Sequence, residues 1–180
     1  MRRPPRPGPT TSDPRPPPTL TPALLERSAA WHLARRSMTT GELRVALQKK
    51  AARHPPHADS GAWIEALLSR FAAGALLDDA RVARARVETG RNRGWSRRRI
   101  EQKLRGVDAD VRTDAFTSVD EAAASPVGED VEPLENAELR AARVFVARKR
   151  LSEKPPEKAL AALARQGFSY GVARAALTPR

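Results

Sequence analysis

Apolar residues recur along most of this chain at spacings of three and four, the pattern of helices with one buried face. The positions that mark a first and a third helix are Leu24, Leu25, Ala29 and Leu33, then Trp63, Leu67 and Phe71. Between them, Thr39 and Glu42 have the spacing of a capping box, which predicts a helix start just before Leu43. No convincing alternation of apolar and polar residues predicts a strand, so the expected fold is all-α.

The helical pattern occurs three times along the chain. A helix-start signal stands four residues before an apolar anchor at Leu43, Ile100 and Leu160, and these anchors are 57 and 60 residues apart. A further short helix follows each anchor. Units of this size with few aromatic residues bury little apolar surface alone, so we expect three three-helix repeats packed in series as an elongated, curved molecule.

Two segments interrupt the helical pattern. Residues 1–22 contain nine of the sixteen prolines and four arginines, which predicts a disordered arm and favours a solvated tail over a nucleic-acid contact. Residues 118–138 carry Pro126, Gly128 and Pro133 among acidic residues, which predicts a flexible connector. The three repeats are therefore expected at residues 23–76, 77–117 and 139–180.

The charge of this 180-residue chain is strongly basic and unevenly distributed. The formal net charge is +12, and residues 81–105 hold ten basic residues against two acidic ones. Residues 106–138 reverse this balance, with ten acidic residues against Arg112, and residues 139–165 are basic again. Two separate basic zones predict local binding of polyanions rather than nonspecific binding over the whole surface.

Several classes of protein are disfavoured by the sequence. The chain has no cysteine, no signal-peptide core and no apolar run long enough to span a membrane, so we expect a cytoplasmic protein. It has no Gly-rich Lys loop and no nucleophile–base pair, so we expect neither a cofactor nor an enzyme. Asp78 and Asp79 are adjacent and favour capping of a helix over a metal pair, and we expect no metal site.

The histidines and tryptophans are better explained by packing than by chemistry. His54 and His57 flank two prolines in an expected loop, and His32 follows Trp31, where packing or a surface position is favoured over a ligand role. The three tryptophans are expected mainly in the core. Trp95 lies beside arginines and is also a candidate for contact with a partner.

Three motifs, in this order, resemble those of the RecX family of regulators of the RecA recombinase. The motifs are Gly74-Ala75-Leu76-Leu77-Asp78-Asp79 with Val82 and Ala83, Gly94-Trp95-Ser96-Arg97-Arg98-Arg99-Ile100, and Leu163-Ala164-Arg165-Gln166-Gly167-Phe168-Ser169. The resemblance extends over about residues 23–177. The chain departs from the family pattern where Val82 replaces an aromatic residue, where residues 54–59 form an insertion, and where the second motif has one added residue.

The resemblance implies a monomeric regulator without catalytic activity. Such a protein would bind in the groove of the RecA filament, contact RecA and the single- or double-stranded DNA inside it, and inhibit ATP hydrolysis, strand exchange and co-protease activity in recombination, repair and the SOS response. Arginine suits this role because guanidinium groups bind carboxylate or phosphate in a bidentate manner. The residues expected to bind are Arg81, Arg84, Arg91, Arg93, Arg97, Arg98, Arg99, Lys103 and Arg105 in the first zone, and Arg143, Arg148, Lys149 and Arg150 in the second.

Two alternatives from other classes are open at this stage. Short helices with a basic second helix also occur in stand-alone DNA-binding modules of the helix-turn-helix kind, including transcription regulators. A nuclease or other enzyme is a weaker alternative because clustered carboxylates are lacking.

Overall fold

The computed structural model describes residues 19–123 and 133–178. Within these ranges the protein has nine α-helices, one short 3-10 turn and no strand, which confirms the all-α prediction. The helices are α1 (Pro22–Arg35), α2 (Thr40–Ala51), α3 (Ser60–Ala73), α4 (Asp79–Asn92), α5 (Arg97–Lys103), α6 (Ala109–Ala122), α7 (Pro133–Lys149), α8 (Pro156–Arg165) and α9 (Tyr170–Leu177). The 3-10 turn, Leu151–Glu153, lies between α7 and α8.

Among the described residues, most buried apolar side chains form three clusters, one centred in each set of three consecutive helices. Leu25, Leu43 and Leu68 represent the first cluster, in α1–α3. The second, in α4–α6, contains Val87, Ile100 and Phe116, and the third, in α7–α9, contains Leu163 and Phe168. This arrangement confirms the prediction of three-helix repeats, which we call the first, second and third units.

The helix starts follow the local sequence closely. Thr39 accepts a hydrogen bond from the backbone N–H of Glu42 at 3.2 Å, and the Glu42 carboxylate accepts one from the N–H of Thr39 at 3.2 Å, which completes the capping box. Asp78 caps α4 by accepting from the N–H of Arg81 at 2.8 Å. Each bond satisfies a backbone donor that the first helical turn leaves free.

The arm predicted for residues 1–22 is shorter in the structure, because its last residues belong to the first unit. Leu20 is only 2% exposed and packs in the first core, and the Thr21 side chain accepts from the N–H of Leu24 at the start of α1. The prediction of disorder for residues 1–18 lies outside the described residues. The first core therefore includes a residue of the segment that the proline content assigned to a disordered arm.

The predicted connector, residues 118–138, is also shorter than expected. Helix α6 continues to Ala122 and α7 begins at Pro133, so both ends of that segment are helical. Pro133 takes the first helical position, where its missing N–H leaves no bond unmade. Residues 124–132 lie outside the described part of the chain.

Two close backbone approaches bring the units together. A Cβ on Gly94, in the turn between α4 and α5, would lie 2.6 Å from the backbone N of Phe145 in α7. Gly94 also has a φ of 70°, in the left-handed region that favours glycine. A Cβ on Gly41 in α2 would lie 2.8 Å from the carbonyl oxygen of Gly106, after α5. At these two contacts the second unit can approach its neighbours closely because glycine has no side chain.

Candidate polyanion-binding surface

Arg91, predicted as a binding residue, lies in the interior between the second and third units. Its side chain is 10% exposed and forms a two-pronged ion pair with Asp120 of α6, with N···O distances of 2.9 and 2.8 Å. The remaining guanidinium nitrogen donates to Glu138 of α7. Burial alone would lower the pKa of Arg91, but the hydrogen bonds and charges of Asp120 and Glu138 raise the pKa above its ordinary value. Arg91 therefore remains charged and links three helices rather than presenting a surface cation.

The acidic partners of Arg91 come from the segment that the sequence assigned to a flexible connector. Asp120 is buried in α6, and the Glu138 carboxylate also accepts from the backbone N–H of Arg97 at 2.7 Å. Glu138 thus places negative charge at the first turn of α5, where free N–H groups and the helix dipole favour it. Asp120 thus holds Arg91 within the second unit, and Glu138 joins the third unit to the second.

Arg97 and Arg99 are partly committed to internal contacts. The guanidinium of Arg97 lies 4.5 Å from the centre of the buried Phe116 ring and pairs with Glu101 at 2.9 Å. The guanidinium of Arg99 lies 4.6 Å from the centre of the Trp95 ring and donates to the side chain of Gln166. Both side chains are half-buried, so their availability to a partner is limited.

Other predicted cations of the first zone are exposed. Arg81 is exposed and lies 3.7 Å from Asp78, and Arg93 lies 5.6 Å from the centre of the Trp95 ring. Within residues 19–123 and 133–178, no ion pair engages the exposed side chains of Arg84, Arg98, Lys103 and Arg105. These four cations are therefore open to an external anion.

The second basic zone lies at the end of α7. Arg148, Lys149 and Arg150 are exposed, whereas Arg143 is half-buried. Arg150 has a φ of 48°, which ends the helix before the 3-10 turn begins at the buried Leu151. The exposed members of this zone present positive charge at a helix C-terminus, where it is favoured.

The junction of α5 with the third unit adds a cation that the sequence analysis did not select. Ser96 caps α5 and also donates to the carbonyl oxygen of Gln166 at 2.5 Å. A shallow cleft of about 390 Å³ at this junction is lined by Arg98, Arg99 and Arg165, among others. Arg98 and Arg165 are far apart in sequence, so only the packing of the units brings them to one cleft.

A further basic surface, separate from the two basic zones, lies in the first unit and was not identified from the sequence. A groove between α1 and α2 is lined by the cations Arg27, Arg36, Lys49, Lys50 and Arg53, with Arg105 at its edge. Trp31 also lines this groove and is 55% exposed, so the prediction of a core position is wrong for Trp31. At 100° per residue, Trp31 lies roughly 240° around α1 from Leu25, a spacing that could have placed it off the buried face.

The other two tryptophans, His32 and His57 make packing contacts. Trp63 packs against the first core and lies 4.2 Å from the His57 ring, and Trp95 packs against the second core. The His32 ring meets the Trp31 ring edge-on at 4.9 Å between centres. In the described part of the chain, no three His, Cys, Asp or Glu residues form a group that could hold a metal ion.

The helices of the described ranges include none that is both long enough and apolar enough to cross a lipid bilayer.

Comparison with known proteins identifies the family. A family model described as "RecX, second three-helix domain" matches residues 78–115. A solved structure, "Crystal structure of regulatory protein RecX", aligns with a TM-score of 0.59 at 19% identity, covering 85% of this chain and 70% of that one, and supports the fold. "Regulatory protein RecX" of Myxococcus xanthus (strain DK1622) is 32% identical over 177 residues, spanning 89% of this chain and 88% of that protein. With this identity over nearly the whole length of both proteins, the chain belongs to the RecX family of regulatory proteins.

Proposed function

We propose that this protein binds in the groove of the RecA–DNA filament and inhibits ATP hydrolysis, strand exchange and co-protease activity. The observation that carries the proposal is the set of exposed cations without an ion-pair partner among the described residues, Arg84, Arg98, Lys103 and Arg105. The planar guanidinium group of arginine can form bidentate hydrogen bonds with either carboxylate or phosphate, so one face could contact RecA and DNA. Membership of the RecX family supports the choice of RecA as the partner. The proposal assigns no catalytic step to this chain.

The packing of the units supports binding along a polymer. The second and third units are joined by the Arg91–Glu138 ion pair, the bond from Ser96 to Gln166 and the close approach of Gly94 to Phe145. Arg98 of α5 and Arg165 of the third unit therefore line one cleft. The first unit is joined to the second through the ion pair of Glu42 and Arg86 at 2.6 Å. A chain of linked units with cations in each could span several repeating partners in a filament.

The direct test is the single-strand-dependent ATPase rate of RecA from the same organism, titrated with this protein. We expect the rate to fall at ratios well below one molecule per RecA protomer, because one regulator would affect a run of protomers in a filament. An unchanged rate would contradict the proposal whatever the affinity of this protein for DNA. Sequence-specific duplex binding combined with an unchanged rate would favour the stand-alone DNA-binding alternative.

Variants of α5 would show which face is used. Reversing Arg97, Arg98 and Arg99 together would also break the internal contacts of Arg97 and Arg99, so the cleaner variant is Arg98→Gln with Lys103→Gln. We expect it to weaken filament binding by about tenfold, from the loss of charge-assisted contacts.

A matched control for the α5 variant is Arg44→Gln with Arg70→Gln, which removes the same charge. These side chains already pair with Glu65 at 2.7 Å and Glu26 at 2.6 Å on the first unit. We expect the control to change filament binding by no more than about twofold, because exposed ion pairs contribute little. Equal losses of filament affinity in both variants would indicate a response to net charge. Arg98 and Lys103 would then have no specific role in binding.

A further inference from the structure

The groove between α1 and α2 is a concave surface with a volume of about 980 Å³. Its lining includes the apolar side chains of Leu24, Val45 and Ala46, and Val45 is 47% exposed. The close approach of Gly41 to Gly106 brings the turn after α5 to its edge. The groove is thus built by the first unit and completed by the second.

The charge of the groove is strongly positive. Six cationic side chains line it, against the single carboxylate of Glu42. Glu42 already pairs with Arg86 at 2.6 Å and accepts from the N–H of Thr39, so its charge is engaged. Burial would raise the pKa of Glu42, but these bonds and the nearby charges of Arg86 and Arg36 lower the pKa below its ordinary value. Glu42 therefore stays ionised and paired at neutral pH. Of the lining cations, Lys50 is half-buried and the others are exposed: Arg27, Arg36, Lys49, Arg53 and Arg105.

Trp31 adds an aromatic surface to this positive groove. Trp31 is 55% exposed, and the guanidinium of Arg35 lies 4.6 Å from the centre of its ring. The edge-on contact with His32 restricts the ring further. An exposed tryptophan held in place by a cation beside basic side chains is the arrangement on which unpaired bases stack while phosphates contact the cations.

We propose that this groove binds single-stranded nucleic acid directly, with a base stacked on Trp31 and the backbone along Lys49, Lys50, Arg53 and Arg105. This goes beyond the proposed function, because the site lies largely on the first unit and requires no RecA. An acidic peptide would satisfy the cations but has no need of the exposed indole ring. Duplex DNA keeps its bases stacked inside and cannot use the ring either. Residues 1–18 of this chain are themselves basic and so are not complementary to the groove.

The test is direct binding of the full chain, without RecA, to labelled oligomers followed by fluorescence anisotropy. The probes are an oligothymidylate of about 16 nucleotides, at the upper end of common single-strand site sizes, an abasic oligomer of equal length, and polyglutamate. We expect the oligothymidylate to bind at least about fivefold more tightly than the abasic oligomer, because stacking of one base contributes roughly five- to hundredfold.

Three variants separate stacking from charge. Trp31→Ala should weaken oligothymidylate binding by about fivefold or more and abolish its advantage over the abasic oligomer, whereas Trp31→Phe should retain part of it. Replacing Lys49, Lys50 and Arg53 by Gln should reduce the log–log salt slope by about 2, since each single-strand phosphate contact contributes about 0.7.

The matched control is Tyr170→Ala, which removes another exposed aromatic ring, 70% exposed at the start of α9. We expect it to leave oligothymidylate affinity unchanged. Equal affinities for the oligothymidylate and the abasic oligomer, or no effect of Trp31→Ala, would overturn the proposal. Polyglutamate that binds as tightly and with the same dependence on Trp31 would overturn it in favour of an acidic peptide. The RecA ATPase titration is a separate measurement, so either proposal can fail alone.

Discussion

Arg91 donates from all three of its side-chain nitrogens to the carboxylates of Asp120 and Glu138, whereas the groove between α1 and α2 surrounds the single carboxylate of Glu42 with six cations. At the first site the charges are largely removed from water, and the Arg91 charge is matched by two carboxylates. At the second site most of the cations remain exposed and have no carboxylate partner. The basic residues of this protein therefore have two structural roles. Arg86 and Arg91, which have acidic partners in a neighbouring unit, join the units, and the exposed cations without acidic partners are available for binding.

The largest expected effect is at the buried network. We expect Arg91→Ala to lower the free energy of unfolding by about 3–5 kcal/mol, because it leaves Asp120 buried without its charge partner. Chemical denaturation measures the loss. The double variant Arg91→Met with Asp120→Leu should be less destabilised than Arg91→Ala, since no unpaired Asp120 charge remains. A loss below about 1 kcal/mol in Arg91→Ala would mean that water compensates the acids and that the two regions are not different in kind.

A smaller effect is expected at the backbone contact between the second and third units. Gly94→Ala would place a Cβ 2.6 Å from the backbone N of Phe145 at a φ of 70°, so we expect a loss of about 3 kcal/mol in the free energy of unfolding. The matched control is Gly61→Ala in α3, where a Cβ would meet nothing within 4 Å. That change should be neutral or should stabilise the protein by up to about 1 kcal/mol. Equal melting temperatures for the two variants would contradict the close packing of Gly94.

Acidity should weaken the contact between the first and second units. The lowered pKa of Glu42 contributes stability that is present above the ordinary glutamate pKa and is lost as pH falls through the lowered value. We expect Glu42→Gln to cost about 1 kcal/mol at pH 7, because the half-buried ion pair with Arg86 is lost. The difference from the unchanged protein should shrink progressively below pH 4.5. Urea midpoints measured from pH 7 to pH 3 would show this, and a difference that is constant with pH would exclude ionised Glu42 as its source.

The smallest effect on stability is expected at the exposed cations. Arg98→Gln should change the free energy of unfolding by less than about 0.5 kcal/mol, because its side chain is exposed and makes no ion pair with another described residue. Arg97→Gln, one residue earlier, should cost more, about 1 kcal/mol, through loss of its contact with Phe116. Thermal melting of the two variants compares them directly. A larger loss of stability in Arg98→Gln than in Arg97→Gln would mean that Arg98 has a structural role.

Much of the fold followed from local sequence. The helix starts at Thr39, Asp78 and Ser96 were predictable because a capping bond joins residues only two or three positions apart. The binding residues remain a prediction, and here the sequence was less informative. It placed Arg91 and Arg98 in the same basic zone, although the structure buries one and exposes the other. It also took Trp31 for a core residue.

The sequence by itself determined the helical class, the three repeats and the two basic zones, because periodicity, capping and net charge depend on near neighbours along the chain. Only the tertiary structure decided which charges are used inside the protein. Arg91 meets Asp120 at a separation of 29 residues and Glu138 at 47, and Arg99 meets Gln166 at 67. Such pairs depend on how distant helices pack. The cations that remain free for binding can therefore be identified only from the tertiary structure, which shows which cations are paired inside the protein.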